Sequence, residues 1–505
     1  MDFISQWAVG FKELSLRSQV SLCLGIFVML FHTVTSILTR YKQLNLPVVE
    51  ANNGDFKEAL MEGVKKYPET PFVLKNKIIL PACTLDEVRN LPENKVSFSK
   101  VVHLQIVDLT RHIMSNLDGL QEEVKYGFNK ELGLCEDWTP FCAYLKLARI
   151  VALLSGRLFV GLPLSRQEEW INASVNYTRD VMVAREAIVT KPRFIRPFVA
   201  PFLPEVKSVR TYRERGTQLL EPLTNVISVQ DASKERRQEG LENEGNTMMA
   251  WILKYSRDKS MRTMAENQMS LTFTAIHTTT TTVCQAVFDL VARPEYIQPL
   301  RDEIEQVMKE DGRDIASDGS FKFKKQSLPK LCKLDSFLKE SQRLSPIGLT
   351  SLTRITTAPL TLSTGHTIPK GVQIAFPAYT ISLDPNSTDV SSSHNPKSYS
   401  PPHEFDGFRF VKLRATEGKE HTHQFVTTAP DSIHFGYGLH ACPGRFFASN
   451  EIKIVMIELL RNWDVRLKDD VESRGGTDKR PKSRVFEMAI FPDATAELEF
   501  RRRKV

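Results

Sequence analysis

Between Arg17 and Arg40 the chain runs for 22 residues without a formal charge, from Ser18 to Thr39. Val20, Leu22, Leu24, Ile26, Phe27, Val28, Met29, Leu30, Phe31, Val34, Ile37 and Leu38 fall inside that run. As a helix it rises about 33 Å, enough to cross a hydrocarbon core of roughly 30 Å. Gln19, Ser21, His32 and Thr33 dilute it, so it predicts a modest span. A cleaved signal would carry a shorter apolar region ending in small residues. Here Arg40-Tyr41-Lys42 follows directly. The expectation is therefore a flank at 1–17, a transmembrane signal-anchor at 18–39 and one large body at 40–505. A buried core helix is the other reading of the same run. Lys12 and Arg17 before it are matched by Arg40 and Lys42 after it, so charge does not decide its orientation.

Beyond residue 40 the apolar positions recur mainly at helical spacing. Phe141, Tyr144, Leu145, Ala148 and Ala152 predict a helix over Phe141 to Leu154. Further helices are expected from about Arg262 to Val291, from about Lys330 to Leu344 and over Phe446 to Leu460. Strand-like alternation is confined to short pieces, Leu360–Leu362, Val372–Phe376 and Ala496–Phe500. Polar, breaker-rich stretches punctuate the pattern at Val229–Asn246, Glu310–Pro329, Asn386–Pro402 and Arg414–Asp431. The fold class expected is mainly α with small β-sheets.

Composition narrows the class. Of 505 residues, 41% are hydrophobic and 25% charged, which excludes wholesale disorder and a multispanning membrane protein. The net charge of +7 is mild for this length and gives no sign of a nucleic-acid partner. Seven cysteines are too few for a disulfide scaffold, and an odd number leaves at least one thiol available for chemistry. Three sequons, at Asn172, Asn176 and Asn386, match a pattern common by chance.

The segment from Phe435 to Arg445 is the most informative. Gly436 and Gly438 permit a tight turn and a close approach to a flat ligand. Pro443 suits the first turn of a helix. Cys442 would then face the positive end of that helix, where unpaired N–H groups favour thiolate, a good soft ligand for iron. A buried structural cysteine and a zinc site using His434, His440 and Cys442 are the alternatives, the latter without any C-x-x-C pair. With Phe435, Gly438, Cys442 and Gly444 in place, the segment resembles the F-x-x-G-x-x-x-C-x-G haem-binding loop of the cytochrome P-450 superfamily. The resemblance implies haem b with an axial thiolate from Cys442, and His440 facing a haem propionate.

Other segments extend the resemblance. Leu331, Leu334 and Leu338 line one face of the Lys330–Leu344 window, while Glu340 and Arg343 pair on roughly the opposite side. By itself that pair reads as an exposed ion pair; it is similar to the superfamily's E-x-x-R helix, in which the pair is buried and joined by a third residue. Phe405 to Phe410 is similar to the F-x-P-x-R-F segment with Gly407 in place of proline, so Arg409 would complete a structural cluster with Glu340 and Arg343. Ala275-Ile276-His277-Thr278-Thr279 resembles the oxygen groove of the central helix, with His277 where an acid is usual. The implied catalytic residues are Thr278 beside the bound oxygen and His277 as a proton relay. Arg354, eleven residues past Arg343, is a candidate propionate contact or a surface arginine entering a strand. The stretch Lys191 to Pro204 mixes rings, prolines and cations; it reads as a packed connection that can also meet a bilayer surface. Arg501 to Lys504 reads as a solvated basic tail.

These motifs, in order over nearly the whole chain after residue 40, are most similar to fungal members of the superfamily, including ent-kaurene-oxidase-like enzymes of secondary metabolism. The resemblance implies a monooxygenase that uses dioxygen to oxidise C–H bonds of an apolar small molecule, a terpenoid or related metabolite. It implies an NADPH-dependent reductase as electron donor, with cytochrome b5 as a second donor, since the chain carries no dinucleotide or flavin fingerprint. The setting implied is the endoplasmic reticulum membrane, single-pass, with the catalytic body on the cytosolic face and in contact with lipid. Desaturation, ring formation or isomerisation on the same haem-thiolate site, and a non-enzymatic haem sensor or carrier, are the competing functions.

Overall fold

A computed structural model describes residues 15, 45–51, 55–98, 117–192, 195–232, 247–255, 258, 260–311, 314–315, 321–384, 401–468 and 480–504. The expected span at 18–39, its flank apart from Ser15, and the Asn386 sequon lie outside these residues. Among the described residues no helix is long and apolar enough to cross a membrane.

Nine helices are named here: α1 (Leu117–Leu132), α2 (Ala143–Phe159), α3 (Glu168–Val189), α4 (Pro204–Ala232), α5 (Met261–Ala292), α6 (Ile297–Glu310), α7 (Cys332–Leu344), α8 (Arg409–Arg414) and α9 (Arg445–Asn462). The strands used below are β1 (Val48–Val49), β2 (Phe72–Leu74), β3 (Lys77–Ile79), β4 (Val96–Ser97), β5 (Thr139–Cys142), β6 (Ser351–Thr356), β7 (Gln373–Phe376), β8 (Trp463–Leu467), β9 (Ser483–Phe486), β10 (Ala489–Pro492) and β11 (Glu497–Arg502).

Helix α5 is the axis of the molecule. Ser260 caps it, its hydroxyl accepting from the Thr263 N–H. From Thr279 to Val291 every side chain is buried, because α2, α7 and α9 pack around that half. A helix surrounded on all sides needs no amphipathic stripe, and here the buried half mixes apolar residues from Val283 to Val291 with the polar Thr279, Thr280, Thr281, Thr282, Gln285 and Asp289. The predicted helix at Phe141 starts two residues later than expected. Phe141 is instead in β5, opposite Leu498, and the chain turns helical only at Ala143.

The larger sheet has the order β1-β2-β3-β7-β6-β4. In β6 burial alternates, so Leu352, Arg354 and Thr356 share the inner face. Arg354 is thus carried into the core by the same period that carries Leu352. The smaller sheet, β8-β11-β5, corrects the reading of the C-terminus. Arg501 and Arg502 are strand residues rather than a tail: Arg501 bonds Asp464 and lies over the Trp138 ring, and Arg503 donates to the Leu460 and Arg461 carbonyls. The Lys191–Pro204 connection is two short helical turns, Arg196–Val199 and Ala200–Phe202, held by Arg196 donating to the Val189 and Lys191 carbonyls. Phe198 and Phe202 remain 63% and 75% exposed. Asn172 sits on α3, its side chain accepting from Arg149.

Candidate active site

The loop before α9 presents Cys442. Its N–H donates to the Phe435 carbonyl at 2.7 Å, closing the loop on itself. Gly436 and Gly438 both have φ of +76°, a region that L side chains avoid. At Gly438 a Cβ would also lie 2.7 Å from Asn90 Oδ1 and 2.8 Å from the Arg89 carbonyl. Asn90 uses that proximity: its side-chain oxygen accepts the Leu439 N–H at 3.0 Å. Phe435 packs edge-on against Phe425 with ring centroids 5.4 Å apart. Gly444 is the helix cap, so Pro443 lies just outside the helix rather than in its first turn.

Two opposed effects act on the Cys442 sulfur. Burial pushes the thiol up from its ordinary value, while N–H groups of Gly444 and Arg445 and the Arg445 charge pull it down. Burial wins, which corrects the expectation that the helix start by itself favours thiolate. A cation bound to the sulfur would reverse that balance, because metal binding displaces the proton. The free thiol stands next to Gly444, whose missing Cβ would sit 3.9 Å from the sulfur.

Arg354 and His440 converge on one aromatic ring. His440 stacks on Phe98 at 6.2 Å and 25°, and the Arg354 guanidinium lies 4.8 Å from the same ring centroid. Arg354 is 4% exposed and donates to the Thr353 carbonyl. Burial lowers its pKa to about 10, outweighing the Glu93 charge, which acts the other way. The His440 Nε2 has no hydrogen-bond partner, with Glu93 at 4.0 Å. Burial, then the Arg354 charge, holds its pKa below the ordinary imidazole value. Among the described residues no group of His, Cys, Asp and Glu is arranged to hold a metal by itself, so the zinc alternative has no support. His434 is enclosed with both ring nitrogens unpartnered; burial, followed by the Lys339 and Arg343 charges, lowers its pKa to about 3.

Glu340, Arg343 and Arg409 form the expected cluster, and it is buried. Arg343 bonds both carboxylate oxygens of Glu340 at 2.8 Å, and Arg409 Nε reaches Oε1 at 3.1 Å. The Asp406 N–H adds a fourth bond at 3.0 Å. The outer faces of the two guanidiniums donate to the Ser382, Pro401, Pro402 and Glu404 carbonyls. Gly407 has its own reason to be glycine. Its N–H donates to the Tyr296 hydroxyl at 3.1 Å, and a Cβ there would lie 2.7 Å from the Tyr296 ring and 2.9 Å from Phe337.

On α5, Thr278 opens toward free space and its hydroxyl donates back to the Thr274 carbonyl at 2.7 Å. Thr274 and Thr282 do the same to Ser270 and Thr278. Such back-bonding competes with the helix's own ladder along one stripe. His277 points elsewhere, with Nδ1 3.1 Å from Tyr144 Oη on α2. Its pKa falls to about 4 through burial. Glu451 of α9 is fully buried, and Ser155 donates to its Oε1 at 2.8 Å, while its Oε2 has no partner among the described residues. Burial raises its pKa to about 8.

A family model described as Cytochrome P450 matches residues 158–479. The chain belongs to the cytochrome P450 family. Among similar proteins, Cytochrome P450 monooxygenase ascG of Acremonium egyptiacum is 48% identical over 91% of this chain and 92% of its own. Cytochrome P450 monooxygenase ataF of Aspergillus terreus is 36% identical over 92% and 93%. Cytochrome P450 monooxygenase gliF of Aspergillus fumigatus is 34% identical over 96% and 97%. The P450 is accordingly a haem-thiolate monooxygenase, whose cofactor is cysteine-ligated haem and which works with dioxygen, a redox partner and an organic substrate.

The residues present fit that cofactor. A free thiol faces N–H groups, and beside the loop lie the buried Arg354 guanidinium and the His440 Nε2, the latter without a hydrogen-bond partner among the described residues. Sequence reasoning anticipated the Glu340, Arg343 and Arg409 cluster that the structure shows, but missed Asn90, Phe98, Tyr296 and Glu451. It also counted Tyr144 only as a residue on a helical face. These act through contacts more than a hundred residues away in the chain, and no local spacing announces them.

Proposed function

We propose that this P450 oxidises C–H bonds of an apolar small molecule, a terpenoid or related fungal secondary metabolite, with electrons from an NADPH-dependent reductase and cytochrome b5 as a second donor. The observation that carries the site assignment is the free thiol of Cys442 in a glycine-turned loop, with the buried Arg354 guanidinium and the His440 ring both set against Phe98 at its edge. Cys442 ligates the iron, Phe435, Gly436, Gly438 and Gly444 shape the loop to a flat macrocycle, and Arg354 and His440 bind its propionates. Haem held there supplies dioxygen activation and the oxidation of the substrate carbon.

The chain's own residues do the rest. Glu340, Arg343 and Arg409 fix the approach to the loop. Thr278 holds a hydroxyl proton beside the oxygen, and its bond to the Thr274 carbonyl orients that hydroxyl. His277 is neutral at pH 7 and takes part in proton transfer as a hydrogen-bonded group rather than as a charged acid.

Residues 18–39 anchor the catalytic body, 40–505, to the cytosolic face of the endoplasmic reticulum membrane. The exposed rings of Phe198 and Phe202 support contact with lipid. The test is an incubation of microsomes holding this chain and a reductase with NADPH, isotopically labelled dioxygen and a panel of apolar terpenoids. One labelled oxygen atom in a product supports the reading. Loss of two hydrogens without label overturns hydroxylation for that substrate.

A further inference from the structure

Helices α3, α4 and α5 pack against one another in pairs, and between them lies a partly open cavity of about 570 Å³. That is room for a small organic molecule. Tyr177, Val181 and Ile188 of α3, Val209 of α4 and Phe273 of α5 give it mainly apolar walls. Tyr177 is 2% exposed and meets Phe273 edge to face, at 83° with ring centroids 6.5 Å apart. On the α5 side the cavity also reaches Ser270. Ser270, Thr274 and Thr278 form one stripe of that helix, each threonine hydroxyl donating to the carbonyl four residues back. From Ser270 to Thr278 the helix rises about 12 Å.

The charged part of the lining has one sign. Arg185, Arg210 and Arg213 line the cavity, and among the described residues no carboxylate does. Arg185 is already matched, donating at 2.6 Å to Glu487 in the turn between β9 and β10, whose other oxygen takes Lys75. Arg210 and Arg213 lie one turn apart on α4, and among the described residues neither is in an ion pair. Arg213 Nε donates to the Tyr177 hydroxyl at 3.4 Å. Its two terminal nitrogens then remain as a fork for a planar anion. The acids closest in sequence along these helices are engaged elsewhere: Asp180 accepts from Ser208 and Arg179, and Glu169 is held by Arg215, which does not line the cavity.

We propose that this cavity reads an acidic end of the substrate: a molecule with an apolar body and one carboxylate, the carboxylate held by Arg213 with Arg210 beside it, and the body lying along the Ser270–Thr274–Thr278 stripe. The inference deepens the monooxygenase reading and rests on it. A guanidinium fork matches both oxygens of a carboxylate, and a bound apolar body keeps water from the pair, which strengthens it. The aliphatic and aromatic walls take the remaining apolar surface. Glu487 keeps the third arginine occupied, so the head group is read from α4. The carbon to be oxidised then lies about 12 Å from the carboxylate, the rise of α5 from the cavity to Thr278.

The test uses the full chain purified with haem and four probes: dodecanoic acid, abietic acid and the methyl ester of each. Dissociation constants are read by calorimetry and by the shift of the haem Soret band. In wild type at least one acid should bind about 10- to 100-fold more tightly than its ester, the range for hydrogen bonds to a charged group. That advantage should shrink as salt is raised. Arg213→Met should abolish it while the affinity for the ester and the carbon-monoxide spectrum stay as in wild type, and Arg213→Glu should reverse it. Arg213 is exposed, so Arg213→Met leaves the core intact and decides the question if Arg213→Glu folds poorly. Arg215→Met, on the same helix but outside the cavity, should keep the preference. Equal binding of acid and ester in wild type, no binding of either acid, or a preference that survives Arg213→Met overturns the proposal. A wild-type protein without the thiolate band would fail the haem-thiolate reading itself; an intact band with no acid preference overturns only the role given to Arg213.

Discussion

Glu340 on α7 and Thr278 on α5 are both polar residues on long, mostly buried helices, yet their surroundings are opposite. Glu340 is fully enclosed, and its carboxylate takes four hydrogen bonds from two arginines and a backbone N–H. Thr278 is exposed, and among the described residues its hydroxyl donates only to carbonyls of its own helix. The first arrangement is over-determined and can move very little. The second leaves a hydroxyl that can exchange a backbone carbonyl for another acceptor at small cost. Rigidity is therefore placed at the Glu340 cluster and the 401–409 segment it holds, and adaptable hydrogen bonding at Thr278, where the proposed function needs a mobile proton.

Substitutions can break this contrast, with the largest effect expected at the enclosed end. Glu340→Ala leaves two guanidiniums buried without their carboxylate, a loss of about 3–5 kcal/mol. The protein should purify with little haem, as measured by its pyridine-haemochrome content against total protein. Full occupancy would place Glu340 outside the scaffold. Gly407→Pro removes the N–H donated to Tyr296 and adds atoms where a Cβ already lies 2.7 Å from that ring. A loss of about 1–3 kcal/mol is expected in chemical denaturation, although proline is the residue that the family pattern carries there.

At the open end, Thr278→Ala should leave stability within about 0.5 kcal/mol of wild type. Haem content should also be retained, while product formed per NADPH falls by about 10- to 100-fold, reaching the lower range for loss of a positioned proton donor. Unchanged coupling would remove Thr278 from proton handling.

The smallest effect sharpens the comparison through pH. Glu451 has its folded pKa raised to about 8 by burial, above its ordinary value of 4.5. Its contribution to stability is complete below pH 4.5 and is lost as pH rises through 8. Glu451→Gln should therefore flatten the fall in unfolding midpoint between those limits, with equal or greater stability at pH 8. His277 shifts the other way, to about 4 from 6.5, so its contribution is complete above pH 6.5 and is lost as pH falls through 4.

The helical body was legible because apolar residues recur at helical spacing along α5, α7 and α9, although burial there also takes in polar positions such as Asp289, Glu340 and Glu451. The loop and the arginine cluster were legible because their residues lie close in sequence or at recognisable separations. Arg354 was ambiguous between strand surface and site until β6 showed which face its alternation buries. The C-terminal arginines misled because charge suggested solvent, whereas Trp138, Asp464 and backbone carbonyls supply partners from distant segments. The Cys442 thiol misled in the same way: the helix start is local, but the burial that outweighs it comes from the assembled fold. Tyr144 was read only as one residue of a helical face, and its contact with His277 appears when α2 is laid against α5.

The central claim, a haem held by Cys442, is tested most directly by the reduced carbon-monoxide difference spectrum of the purified chain beside Cys442→Ala. The account predicts the long-wavelength Soret band of thiolate ligation in wild type and its absence from the variant. The same band in Cys442→Ala, or a wild-type band at the position of histidine- or thiol-ligated haem, would contradict it.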